Sequence, residues 1–262
     1  MTRRLDWADY RTTEYVDIDP MKTIAILPTA AIEQHGPHLP VGVDTMINAG
    51  MLDVLRQRCP EDLDIRILPI QAVGKSNEHL HAPGTLTLTA ETALKAWVEI
   101  GLSIRRAGVR KVVIINSHGG NLDLISILSR ELRVQAGMFA VKCQWGSFGH
   151  PEGMYSDHER AFGIHGGDVE TSLMLAFRPE TVDMGAAKDF RSTAETSAIS
   201  PIGPISYGWM ASDLNGDGTV GDASIATADK GHATAEHQVA GMIQLLRKVE
   251  AQGLDGFAAV PA

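Results

Sequence analysis

Residues 109–121 run VRKVVIINSHGGN, and this stretch decides the fold. From Val109 to Asn116 the β-branched side chains follow one another without alternation, the pattern of a strand buried on both faces. Such a strand needs a helical layer above and below it, as in α/β proteins with a parallel sheet. The flanks supply those helices. Glu91 to Ala107 carries Leu94, Trp97, Val98 and Leu102 at helical spacing, and Leu122, Ile125, Leu128 and Leu132 follow the glycines in the same way. Further out, Lys22 to Leu27 (KTIAIL), Ile65 to Ile70 and Phe139 to Trp145 have strand character. Met46, Met51, Leu52 and Leu55 mark another helix, LMLAF (173–177) a further one, and Ala226 to Ala251 a last one. The alternation of strand and helix predicts a single-domain, three-layer αβα sandwich around a mainly parallel sheet, spanning 1–262. Only 181–222 dissolves into Gly, Pro and Ser, with Pro201, Pro204 and Gly208. That is long for a structureless connection and leaves a lid, an oligomer contact or a linker.

Composition narrows the function. The 262 residues include 23 Lys+Arg against 32 Asp+Glu, a formal charge of −9, with 44% apolar and 21% charged residues. Those fractions are those of a globular protein. The acidic balance argues against a nucleic-acid binder, which needs a basic contact face. Cys59 and Cys143 form neither a CxxC pair nor a disulfide framework, so structural thiolate zinc is not expected and a reducing compartment fits. The basic N-terminus is followed by no apolar stretch, and no apolar run approaches the roughly 18 residues needed to span a bilayer. A cytoplasmic protein without nucleic-acid or membrane partners is expected.

Ten histidines are the unusual part of the composition, and His35, His38, His118 and His165 among them fall where a strand or loop enters a helix. After the first strand comes AIEQHGPHLP (31–40), with Asp44 opening the next helix. Glu33 and His35, two apart, share one side of an extended backbone within reach of a common ion. Asp44 adds a second carboxylate positioned to bridge two ions, and mixed Glu/His/Asp ligation suits zinc, manganese or iron. Alternatively, Glu33 caps a turn and His35 and His38 are solvated loop residues. Ser117-His118-Gly119-Gly120-Asn121 leaves the buried strand at its carboxyl end, where open α/β sheets bind ligands, with Asn121 a favoured helix cap. In IHGGDVETS (164–172), His165 and Glu170 lie across a Gly-Gly turn facing a cleft, and Asp168 has the position of a helix cap. Three such junctions together point to a metal centre.

The segments LPTAAIEQHGPHLPVGVD, GKSNEHLHAPGT, INSHGGN and IHGGDVETSLMLAF, in this order, resemble the creatininase (creatinine amidohydrolase) family over Leu5 to about Val249. The resemblance implies a compact αβα sandwich with two divalent ions per subunit (Zn, Mn or Fe). It also implies a homo-oligomer, often a hexamer, and hydrolysis of amide-type C–N bonds in small, frequently cyclic substrates. By position, Glu33, His35, Asp44 and His118 match the family's metal ligands, Asp44 as the bridge, and His165 the histidine beside the substrate. One departure matters. Where the family's pattern has a Tyr and a metal-binding Glu after the histidine, this chain has Gly119 and Gly120, so Glu170 is the expected replacement ligand. Ala161 and Phe162 stand near the pattern's tryptophan, while Trp145 matches an aromatic position, so creatinine is not the expected substrate. The GHGGN-type branch resembles instead the family's deformylases, peptide-trimming enzymes and sugar-ring hydrolases.

The expected chemistry follows from paired ions about 3.5–4 Å apart, which lower the pKa of a shared water toward about 7 so that hydroxide attacks a polarised carbonyl. A protonated His165 then serves the leaving nitrogen. Ser76, Glu78 and His79 admit two readings, as substrate contacts or as groups orienting His35 or His118, and Trp145 is a further substrate-contact candidate. The leading expectation is an amidohydrolase of a cyclic amide, lactam or formamide. A lactone or cyclic-diketone hydrolase on the same centre, or a scaffold that has lost the chemistry, are the alternatives. Asp213 to Gly218 (DLNGDG) starts like a calcium loop, but Ser224 stands at its twelfth position, so a Gly-rich loop near the active site fits better. Tyr207, Trp209 and Met210 suit a subunit interface or a cover over the substrate.

Overall fold

The computed structural model describes residues 3–258. In chain order its principal elements are β1 (Ile24–Thr29), α1 (Val43–Arg58), β2 (Ile65–Ile67), α2 (Ala90–Arg106), β3 (Lys111–Asn116), α3 (Leu122–Ala136), β4 (Phe139–Gln144), α4 (Asp157–Phe162) and α5 (Asp168–Phe177). They continue as β5 (Asp189–Phe190), α6 (Ala211–Leu214), β6 (Gly221–Asp222) and α7 (Ala228–Ala251). The unalternated strands take the central positions because each can bury both faces. All of β1 and β3 is buried, and the main sheet is parallel in the order β2-β1-β3-β4. Ile24, Ile26, Val113 and Ile115 meet Met51, Leu52 and Leu55 of α1, Leu173 and Met174 of α5, and Val239, Met242 and Leu246 of α7. On the opposite face, Ala25, Leu27, Val112 and Ile114 meet Trp97 and Ile104 of α2 and Leu124, Ile125, Leu128 and Leu132 of α3. Each buried aliphatic side chain is worth about 1.5–3 kcal/mol, so the two cores fix the three layers.

Two strand boundaries differ from the periodicity, and proline explains both. Strand β1 extends through Pro28 to Thr29, although proline normally avoids central strands. The Pro28 carbonyl accepts the Gln71 N–H on the β2 side, so the amide that proline lacks faces the place where β2 has already ended. Strand β2 stops at Ile67 rather than reaching Ile70 because Pro69 cannot continue the ladder.

The register pairs Thr29 with Asn116, bringing the carboxyl ends of β1 and β3 side by side. Connections from β1 run to β2 on one side while β3 lies on the other, so this is the crevice where such sheets bind ligands. The 181–222 stretch is not structureless. Strands β5 and β6 pair antiparallel, and Val220 bridges His165. Trp209 packs with Ala194, Leu214 and Val220 and donates its indole N–H to the Pro201 carbonyl. Of the calcium-like loop, Asp213 caps the Met210 N–H, Asp217 pairs with Lys188, and the Gly218 carbonyl turns toward the β1 junction.

Candidate metal centre

Two loops leaving strand ends, together with the starts of α1 and α5, deliver the polar cluster. Glu33 and His35 follow β1, Asp44 is the second residue of α1, His118 follows β3, and Glu170 is the third residue of α5. Glu33, His35, Asp44, His118 and His165 are all buried, whereas the Glu170 side chain is 25% exposed and marks the open side. The imidazoles are oriented by their outer nitrogens. His35 donates from Nδ1 to the Glu33 carbonyl at 3.0 Å, leaving Nε2 toward Asp44 Oδ1 at 3.8 Å and Glu170 Oε2 at 3.7 Å. His118 donates from Nε2 to the Lys75 carbonyl at 2.9 Å, leaving Nδ1 toward Glu33 Oε1 at 3.2 Å and Asp44 Oδ2 at 3.5 Å. The two oxygens of Asp44 thus face two different histidines.

The donor chemistry fits two divalent ions. Ligand atoms about 2.1 Å from a tetrahedral ion stand about 3.4 Å apart, which these separations match. Glu33 Oε2, His35 Nε2 and Asp44 Oδ2 are buried and accept no hydrogen bond among the described residues, a costly arrangement unless a cation completes it. Four overlapping donor sets are compact enough to hold an ion: Glu33, His35 and Asp44; His35, His165 and Glu170; Glu33, Glu78 and His118; and Glu33, His79 and His165.

Burial shapes the titration. It drives the Asp44 and Glu170 carboxyls above their ordinary range, with Glu33 adding its charge at both, while His165 and the Gly166 N–H oppose the rise at Glu170. It also pushes His35 and His165 down to about 4, so both are neutral at physiological pH. Burial opposes the His118 cation, yet Glu33 and Asp44 outweigh it and raise that group to about 10. Burial would likewise raise Glu33, but His118 holds it well below the usual carboxylate range.

Among the other expected contacts, Ser76 and Glu78 gather round the outer nitrogen of His118, with Ser76 Oγ at 3.3 Å and Glu78 Oε1 at 3.5 Å from Nε2. Glu78 also pairs with Lys75 at 3.2 Å. His79 reaches Glu33 Oε1 at 3.3 Å. Trp145 is not brought into the cluster. It lies in the core beneath α1 and donates to Asn48 Oδ1, one helical turn beyond Asp44. His38 braces the second glycine turn, donating from Nε2 toward the Gly166 carbonyl and Thr171 Oγ1, and stacks on Phe190. The expected helix caps are corrected. Asn121 makes no capping bond but ties the strand ends together, donating to the Ala30 carbonyl and Asn116 Oδ1 and accepting from the Lys75 N–H. Asp168 lies within α5 and accepts from Ser172 and Lys230.

Sequence reasoning missed Gln34, Asn48 and Glu159. Glu159, buried on α4, accepts the backbone N–H groups of Asp168 and Asp222, clamping the start of α5 to β6. Its signal was faint, a lone acidic residue in a short amphipathic segment. Gln34 had a clearer one, since it sits between two ligand candidates.

The family model described as Creatininase: Creatinine amidohydrolase matches residues 8–246. The chain is 30% identical over 217 residues to the mycofactocin precursor peptide peptidase of Mycobacterium tuberculosis (strain CDC 1551 / Oshkosh), covering 79% of this chain and 77% of that one. It is 27% identical over 261 residues to the creatinine amidohydrolase of Pseudomonas putida, covering 93% and 95%. A solved structure of creatininase with Mn is similar in fold, with a TM-score of 0.74 at 24% identity over 95% of this chain and all of that one.

Proposed function

The chain belongs to the creatininase family, and on that premise we propose that it is a GHGGN-type member acting on a small cyclic amide, lactam or formamide rather than on creatinine. It is a metal-dependent hydrolase of C–N bonds with a binuclear divalent-metal centre. The observation that carries the reading is the split of Asp44, one oxygen toward His35 and the other toward His118. In this reading Glu33, Asp44 and His118 hold one ion, and His35, Asp44 and Glu170 the other. Glu170 supplies the carboxylate that Gly120 does not. When bound, the ions lower the pKa of a water and polarise the substrate carbonyl.

The remaining work falls to side chains. His165 donates from Nε2 to the Gln34 carbonyl at 2.7 Å, so its working atom is Nδ1, which faces Glu33 Oε1 at 3.6 Å. Because burial keeps this imidazole neutral, it cannot begin as the acid. His165 first takes the proton of the attacking water at Nδ1 and then returns it to the leaving nitrogen. Ser76 and Glu78 are assigned to orienting His118, since both lie on its outer nitrogen.

A homo-oligomer forms part of the same proposal, supported by the exposed apolar side chains of Ile199, Ile202 and Ile205 on one loop. No helix among the described residues is long and apolar enough to cross a membrane. The functional test is metal analysis of purified protein, then a screen of the metal-loaded enzyme on cyclic imides, lactams, formamides, lactones and short linear peptides. Turnover of a cyclic amide or formamide with at least one divalent ion per chain is expected. Strict preference for lactones or linear peptides would overturn the substrate class.

A further inference from the structure

The imidazoles of His79 and His165 lie nearly parallel, with ring centroids 4.3 Å apart, and both present a nitrogen to the same oxygen, Glu33 Oε1. Chemically the two rings are equivalent, so something else must decide which is the base. Gln34 is buried and touches both rings, its Nε2 lying 2.8 Å from His79 Nδ1 and 3.3 Å from His165 Nε2.

The Gln34 amide has its orientation imposed by two backbone groups that cannot change role. Its Oε1 accepts the Gly36 N–H at 2.9 Å, and its Nε2 donates to the Gly218 carbonyl. Gly36 adopts φ +75°, a left-handed conformation that favours glycine at this turn. With the amide so fixed, the second Nε2 hydrogen points at His79 Nδ1, 2.8 Å away, and that nitrogen must accept. With Nδ1 accepting, the ring proton of His79 sits on Nε2, which faces Glu33 Oε1 at 3.3 Å. At the same residue, the Gln34 main-chain carbonyl takes the Nε2–H of His165, which leaves Nδ1 of His165 bare toward the same Glu33 oxygen. The same Glu33 oxygen thus faces a protonated nitrogen on one ring and a bare nitrogen on the other.

We propose that Gln34 is a positioning residue that sets the tautomers of both stacked histidines, placing the His79 proton on the nitrogen that faces Glu33 and leaving Nδ1 of His165 as the bare imidazole nitrogen on that oxygen. The consequence reaches the 213–221 segment, because Gly218 occupies one of the two donor positions of Gln34 and Thr219 and Val220 both donate to the His165 carbonyl. Seating of this segment and the acid–base assignment are set by one amide. The inference rests on the reading of His165 as the proton-transfer group.

Imidazole ¹⁵N NMR of the zinc-loaded enzyme tests it directly. The protonated-type nitrogen of His79 is expected at Nε2 and the bare type at Nδ1. A reversed His79 pattern overturns the inference. In Gln34→Glu, which keeps the size but replaces the donor with an acceptor, His79 is expected to move its proton to Nδ1 while His165 keeps Nε2–H. The value of kcat should fall about 10–100-fold with KM little changed. An unaltered His79 spectrum with wild-type kcat in this variant also overturns it. If the variant does not fold, the wild-type spectrum alone decides. Reversed tautomers with full zinc content refute the role of Gln34 only, whereas wild-type protein that binds no zinc refutes the metal-centre reading.

Discussion

The adjacent glycines of SHGGN should respond in opposite ways to one added methyl group. A Cβ built on Gly119 meets no atom within 4 Å. One built on Gly120 lies 2.5 Å from His118 Nε2 and 2.5 Å from the Lys75 carbonyl oxygen, and collides with Glu78 Oε1. Glu78 can swing away at small cost, but the other two atoms belong to a buried ring and to main chain. Restoring an ordinary contact of about 3.4 Å requires a shift of about 0.9 Å in both, against a His118–Lys75 hydrogen bond of 2.9 Å. Overpacking of this kind costs about 1–3 kcal/mol of stability. The movement displaces His118, and a misplacement of about 1 Å in a reacting constellation costs on the order of 100-fold. Gly120→Ala is therefore expected to weaken metal binding at least 10-fold, measured by competition with a chromogenic chelator, with circular dichroism verifying the fold. Gly119→Ala should bind metal as the wild type does. Equal affinities in the two variants would refute the crowding of Gly120, and equal losses would refute the open space at Gly119.

Other outcomes follow from the same geometry. Glu170→Ala should lose one of two metals by elemental analysis, since Glu170 faces His35 Nε2 from the open side; full occupancy would remove it from the ligand set. His165→Ala should retain both metals and lose about 10²–10⁴-fold in kcat, and a variant with unimpaired turnover would dismiss the proton shuttle. Cys143 should resist iodoacetamide at pH 8 in the folded protein, because burial pushes its thiol up to about 12. The unfolded thiol ionises near 9 while the folded one stays protonated. The Cys143 contribution therefore lowers stability progressively as pH rises above about 9, and urea midpoints between pH 8 and 10 measure it.

What the sequence determined by itself was the layering and the edge where the chemistry sits. The unalternated strand at 109–116, with the strand-like run at 22–27, demands helices on both faces, and parallel strands put their carboxyl ends on one side. Glu33, His35, Asp44 and His118 were legible because each falls within such a junction, and His165 and Glu170 because a Gly-Gly turn precedes a helix. Proline misplaced two strand ends in opposite senses: β1 runs on through Pro28, whereas β2 stops short of Pro69. Only the tertiary structure decided which individual nitrogens and oxygens meet. The Gln34 side chain bridges Gly218, 184 residues away, and its carbonyl holds His165, 131 residues away. Asn121 turns from an expected helix cap into a lateral tie because Ala30, Lys75 and Asn116 lie within its reach. Trp145 leaves the expected pocket for the core because Asn48 offers its indole a buried acceptor. Periodicity records which face of an element is buried. It does not record which donor meets which acceptor once distant loops close on one point, and in this site the tautomers, and with them the division between ligand, donor and base, depend on that meeting.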